Sequence, residues 1–312
     1  MPFLTESYNL NFYGGEPILC FALIERTISF LEEKNKQSAK KAHYALTTNG
    51  SLITQEVIRT FSRHGFSVEY SFDGFAQNIQ RKPGSFDETV SNIEKILEFP
   101  KIRLEINSVF TPETVGCLSE SISFIASLGV KNITLSLSML QPWDKPSLER
   151  LNEEFAKLTE FLSSHYRKYR EIPLKNFRDD GATGFFYCAG GQDRMAVNSA
   201  EEIWGCDLFG DYFLGKKESP AFRDYYFGNL DTFVQNHEKV FPQISANYAR
   251  LAMDNFATPH RKCLFCSNLE SCTICPAAAA FSGKALGEIP CFVCEIQKIR
   301  IAEKEKFWKK IS

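Results

Sequence analysis

Six cysteines fall between positions 263 and 294, spaced as Cys263-x2-Cys266-x5-Cys272-x2-Cys275 and then Cys291-x2-Cys294. Loop thiolates at two-residue intervals suit tetrahedral sulfur coordination, and this spacing serves zinc and iron–sulfur clusters alike. A disulfide framework fits poorly, because the chain is long and its first residues have neither a basic region nor a cleavage site. Near the other end, Tyr13-Gly14-Gly15-Glu16-Pro17 joins a β-rich run to an amphipathic stretch. Its glycines let backbone approach a ligand, and Glu16 offers a carboxylate to an ammonium group. The histidines, His64 and His260 among them, are scattered and form no ligand set.

The elements that must position these groups follow from periodicity. Short β-rich runs occur at residues 8–13, 43–48, 66–72, 102–110 and 132–138. Helical patterns fit between them, near 54–64, 86–98 and 113–128, and Phe21, Ile24, Ile28 and Leu31 give an earlier helix one apolar face. This alternation predicts repeated βα units and a parallel sheet. Ligands of such sheets bind at the carboxyl edge, where the segments YGGEP, TTNGS and SFDG lie. Cys117 falls on a helix of this region and reads as a small apolar filler. A long polar helix is expected from about 147 to 170, followed by a glycine-, aromatic- and cysteine-rich region with little regular periodicity.

Thirty-six basic and 38 acidic residues leave a formal charge of -2, which gives no basic surface for nucleic acid. No apolar run approaches the ~20 residues of a membrane span. A cytoplasmic protein without a nucleic-acid or membrane partner is expected.

The GGEP segment at Gly14, Gly15, Glu16 and Pro17, the TNG of Thr48 to Gly50, the SFDG of Ser71 to Gly74, and Arg81 with its following turn resemble the radical SAM superfamily. The resemblance implies that GGEP binds the amino group of S-adenosylmethionine, with Asn49, Ser71 and Asp73 at the cofactor pocket. The later cysteines, together with EEIWGCDLFG (201–210) and YFGNL (226–230), resemble the SPASM domain of peptide- and protein-modifying members. That likeness implies one or two auxiliary [4Fe-4S] clusters, with zinc the lesser alternative. Cys188, Cys206 and Cys275 would hold the first cluster; Cys263, Cys266, Cys272 and either Cys291 or Cys294 the second. It also implies that Asp207 is a catalytic proton acceptor.

The sequence departs from the family in three places. No CxxxCxxC occurs, so the thiolates for the radical-generating cluster are missing, and GGEP lies 13 residues after Met1. Glu201 stands where the family has glycine, and Cys272 and Cys275 are separated by two residues where three are more usual. The expected architecture is therefore α/β: a partial (β/α)6 radical SAM barrel lacking its first βα unit (1–145), a helical connector (146–180) and a small SPASM-like domain (181–312). The expected function is maturation of a ribosomal peptide or protein, by thioether cross-linking or side-chain oxidation, inactive in a truncated chain. The alternative is a non-catalytic iron–sulfur or zinc-binding partner protein.

Overall fold

The computed structural model describes residues 5–179, 189–253, 262–282 and 285–312. Its chain forms two compact units. The first comprises residues up to 138, 153–178 and 306–312. Strands β1 (Ser7–Phe12), β2 (Lys41–Thr48), β3 (Ser67–Ser71), β4 (Arg103–Phe110) and β5 (Ile133–Leu137) make one parallel sheet in the order β1-β2-β3-β4-β5. Between them run α1 (Phe21–Ser38), α2 (Gln55–His64), α3 (Gln77–Gln80), α4 (Phe86–Leu97) and α5 (Leu118–Ser127). The five expected strands and the helices between them are present. Chain chemistry sets the boundaries: Thr54 accepts a hydrogen bond from the Val57 amide to open α2, and Gly65 ends it at φ 64°.

The two faces of the sheet differ. Tyr44, Leu46, Val68, Tyr70, Leu104 and Ile106 point into an apolar core that also takes Ile24, Ile28 and Leu31 of α1. Alternate residues, including Thr47, Ser67, Glu69, Ser71, Glu105 and Asn107, stay half-exposed on the other face. Full burial of each core side chain contributes about 1.5–3 kcal/mol, so the apolar face holds the sheet while the polar face stays partly open. Cys117 ends a 3-10 turn before α5, where its thiol donates to the Thr114 carbonyl. The long helix α6 (Lys145–Tyr169) follows, and its second half belongs to this first unit.

The second unit comprises residues 139–152 and 179–305. Here β6 (Ala196–Val197), β7 (Glu202–Trp204) and β8 (Tyr226–Asn229) form an antiparallel sheet. Helices α7 (Asp207–Phe213), α8 (Phe222–Tyr225), α9 (Leu230–Met253), α10 (Pro276–Ala280) and α11 (Cys291–Ile311) complete it, α11 ending in the first unit. Aromatic residues build the core: Trp204, Phe209, Phe213, Phe222, Tyr225, Phe227 and Tyr248 pack as one cluster. The Tyr248 hydroxyl accepts from the Gly205 amide at 2.8 Å and donates to the Tyr225 carbonyl at 2.7 Å. Gly205 has no room for a side chain, since a Cβ there would stand 2.5 Å from the Gly191 nitrogen and the Tyr248 ring.

This unit is more regular than its sequence suggests. α9 runs for 24 residues through an internal Pro242, and α11 for 21. Cys291 and Cys294, expected on a loop, lie in the first turn of α11. The proline inside α9 and the cysteines opening α11 disguise both helices as irregular chain.

Candidate functional site

At the carboxyl edge of the parallel sheet, the turn after β1 carries Gly14 at φ 140°, a backbone conformation that side chains resist, and nothing lies within 4 Å of where a Cβ would be at Gly14 or Gly15. Pro17 opens a 3-10 turn, and Glu16 caps it by accepting from the Ile18 amide at 3.1 Å. The same carboxylate reaches the end of β2. The Thr48 hydroxyl lies 2.8 and 2.9 Å from its two oxygens, and the Asn49 amide donates to it at 2.9 Å. Glu16 is thus fixed by three donors while remaining half-exposed, and Asn49 is exposed beside it.

Asp73 is placed differently. It is 1% exposed, and its carboxylate accepts from Arg81 Nε at 2.6 Å, Arg81 Nη2 at 3.2 Å and the Val109 amide at 2.8 Å. These bonds tie the end of β3 to β4 and leave the group buried, whereas the sequence reading faces it toward a ligand. Ser71, two residues earlier, lies on the half-exposed polar face.

That polar face bounds a cavity of about 350 Å³, lined by Asn11, Thr47, Ser67, Glu69, Arg103 and Glu105 among others. Glu105 receives Lys175 Nζ at 2.9 Å on both oxygens and the Thr134 hydroxyl at 2.6 Å. Glu69, its register neighbour on β3, accepts from Asn107 Nδ2 at 3.3 Å. None of these residues is singled out by motif. The signal that finds them is strict alternation in Ser67-Val68-Glu69-Tyr70-Ser71 and Arg103-Leu104-Glu105-Ile106-Asn107, which puts every second residue on one face.

In the second unit the cysteines divide into groups. Cys263, Cys266, Cys272 and Cys294 line one small cavity of about 40 Å³ with Asn268, Gln297 and Lys298. Burial, reinforced by neighbouring thiols, raises the pKa of Cys263, Cys272 and Cys294, the last to about 11. Four thiols facing one cavity, each disfavouring the charge of the others, suit a positively charged inorganic group that takes thiolates. Cys291 is exposed and does not line this cavity. Cys206 caps α7, Cys275 caps α10, and both pack against the aromatic core. Cys188 lies outside the described residues. Asp207 opens α7, where burial, reinforced by the charge of Asp211, raises its pKa. Among the described residues, no three His, Cys, Asp or Glu side chains converge closely enough to hold a single metal ion, and no helix is long and apolar enough to cross a membrane.

No family model matches the chain. Among curated proteins it is 21% identical over 303 residues to the cysteine-type anaerobic sulfatase-maturating enzyme of Clostridium novyi, covering 85% of this chain and 79% of that enzyme. It is 26% identical over 139 residues to the radical SAM cyclopropyl synthase TigE of Paramaledivibacter caminithermalis, a match covering 43% of this chain and 29% of that protein. The structure of native anSMEcpe with bound AdoMet and the Kp18Cys peptide superposes with a TM-score of 0.77 at 16% identity, over 99% of this chain and 86% of that one.

Proposed function

From the premise that this chain has the fold of the radical SAM maturases and is related to them in sequence, we propose that it binds S-adenosylmethionine beside Glu16, carries an iron–sulfur cluster in the four-thiol cavity, and serves the modification of a peptide or protein side chain. One observation carries the reading: Glu16 is held at the joined ends of β1 and β2 by Ile18, Thr48 and Asn49, with open space over Gly14 and Gly15. A fixed, half-exposed carboxylate there pairs with the ammonium of an amino-acid moiety, and the bare glycine backbone lets that moiety approach.

Cys263, Cys266, Cys272 and Cys294 would hold the cluster, which favours Cys294 over Cys291 as the fourth ligand. The thiolates of a tetrahedral zinc, at bonds of ~2.3 Å, stand only ~3.8 Å apart. Here four thiols share a cavity while, among the described residues, no three converge on one ion, which favours a multi-iron group. Cys206 and Cys275 are left for a first cluster with Cys188, and Asp207 beside them is the candidate proton acceptor. On taking one electron, bound S-adenosylmethionine would supply a hydrogen-abstracting radical and an auxiliary cluster would supply a one-electron acceptor; with no CxxxCxxC in the sequence, that electron must come from a donor other than these residues. The chain's own part is to orient the sulfonium nucleoside at the sheet edge and offer the polar face of β1 to β5 to a substrate. A thioether cross-link in a ribosomal peptide is the preferred outcome, with oxidation of Cys or Ser next.

The sequence has no CxxxCxxC, so the test reads binding rather than turnover. Anaerobic reconstitution should give iron and acid-labile sulfide of about four or more per chain, and equilibrium dialysis should detect S-adenosylmethionine binding that Glu16→Ala abolishes. Zinc without sulfide, or no nucleoside binding, would overturn the reading.

A further inference from the structure

Helix α11 lines one side of the four-thiol cavity, and beyond Cys294 it presents Gln297, Lys298 and Ile301 there. Gln297 and Lys298 line the cavity beside Cys294, Cys263, Cys266 and Cys272. Gln297 is 8% exposed, and its Oε1 is buried without a hydrogen-bond partner among the described residues. The end of the amide that lacks a partner is an acceptor, and a half-turn about its last torsion puts an N–H donor in its place. Lys298 stands at the same cavity, and its ammonium pairs with Glu295 at 2.7 Å.

We propose that Gln297 and Lys298 form a positive, hydrogen-bond-donating wall that raises the reduction potential of the cluster in this cavity; the inference rests on the cluster reading above. A [4Fe-4S] core bound by four thiolates carries net negative charge, and taking up one electron makes it more negative. Cations and N–H donors aimed at its sulfurs stabilise the reduced form more than the oxidised one, so the potential rises. Glu295 opposes this by drawing on the Lys298 ammonium, so its removal should act with the opposite sign. These are positioning residues that act on the cluster through charge and hydrogen bonds, not as ligands.

The test uses the full chain, reconstituted anaerobically and titrated with dithionite while the reduced cluster is followed by electron paramagnetic resonance. Iron and sulfide content are measured on every sample. Lys298 and Glu295 are exposed on α11, so Lys298→Gln, Lys298→Arg and Glu295→Gln should fold. With iron unchanged, Lys298→Gln and Gln297→Leu are expected to disfavour reduction about tenfold, ~59 mV for one electron. Lys298→Arg should restore the potential, and Glu295→Gln should move it upward. Full iron with an unmoved potential in Lys298→Gln and Glu295→Gln would overturn the inference and leave the cluster reading standing. A wild-type protein without iron and sulfide would overturn both.

Discussion

Thr48 and Glu16 are 32 residues apart in sequence, yet the Thr48 hydroxyl lies 2.8 Å from one Glu16 oxygen and 2.9 Å from the other. That hydroxyl also accepts from the buried Gly50 amide at 2.9 Å. Thr48→Val keeps the shape and removes both bonds. It should weaken S-adenosylmethionine binding roughly fivefold, the equivalent of about 1 kcal/mol for a hydrogen bond that aligns a charged group. Equilibrium dialysis against wild type measures it. Equal affinity would mean that Glu16 needs no support from β2.

Cys291 and Cys294 lie three residues apart at the start of α11, one exposed and one on the thiol cavity. Cys294→Ala should therefore lower iron content and destabilise the second unit, since ligand binding there is coupled to folding. Cys291→Ala should leave both unchanged. Iron analysis with thermal melts of the two variants decides, and iron loss from Cys291→Ala would reverse the assignment.

Glu154 of α6 is 3% exposed and accepts from the Ser119 amide at 2.9 Å, the Ser119 hydroxyl at 2.6 Å and Lys157 at 2.6 Å. Burial pushes its pKa up, but the donors outweigh burial and hold it below the ordinary value. A carboxylate depressed on folding adds stability above its unfolded pKa, ~4.3, and that stability disappears as pH falls through the folded value. Glu154→Gln should cost about 1–2 kcal/mol at pH 7 and progressively less below pH ~4. Urea melts across pH 3 to 7 give both numbers, and a cost independent of pH would show that the charge is irrelevant.

Glu201 sits in the turn between β6 and β7 at φ 61°, a left-handed conformation for a residue with a side chain. Its carbonyl accepts from the Leu230 amide at 2.8 Å and its amide donates to the Asn198 carbonyl at 3.0 Å. Both bonds are backbone and survive substitution. Glu201→Gly should stabilise the protein by about 1 kcal/mol, the lower end of the cost of such a conformation. Calorimetry should show a melting temperature about 2 °C higher, and a fall would mean that the exposed Glu201 side chain holds the turn.

The parallel sheet was readable because each strand and helix declares its own period over 5 to 18 residues. The Glu16 turn was readable because glycine, glutamate and proline each have one plain use there. The bonds from Thr48 and Asn49 to Glu16 were not, since parallel register sets them between residues 32 and 33 positions apart. Asp73 was expected at the cofactor pocket from the family resemblance; only the fold brings Arg81 and the Val109 amide to its carboxylate. The thiol spacing pointed to inorganic ligation, but a helix beginning at Cys291, which turns Cys294 inward and Cys291 outward, is not visible in a Cys-x2-Cys repeat.

In β3, Val68 and Tyr70 are fully buried while Ser67, Glu69 and Ser71 between them stay partly open. Because neighbours point oppositely, one extra residue inside this strand would drive Glu69 among the helices and expel Tyr70 to solvent. Divergence of this surface must then proceed by exchanging side chains in place, with length changes confined to the loops, so one scaffold can be refitted to new substrates without being rebuilt.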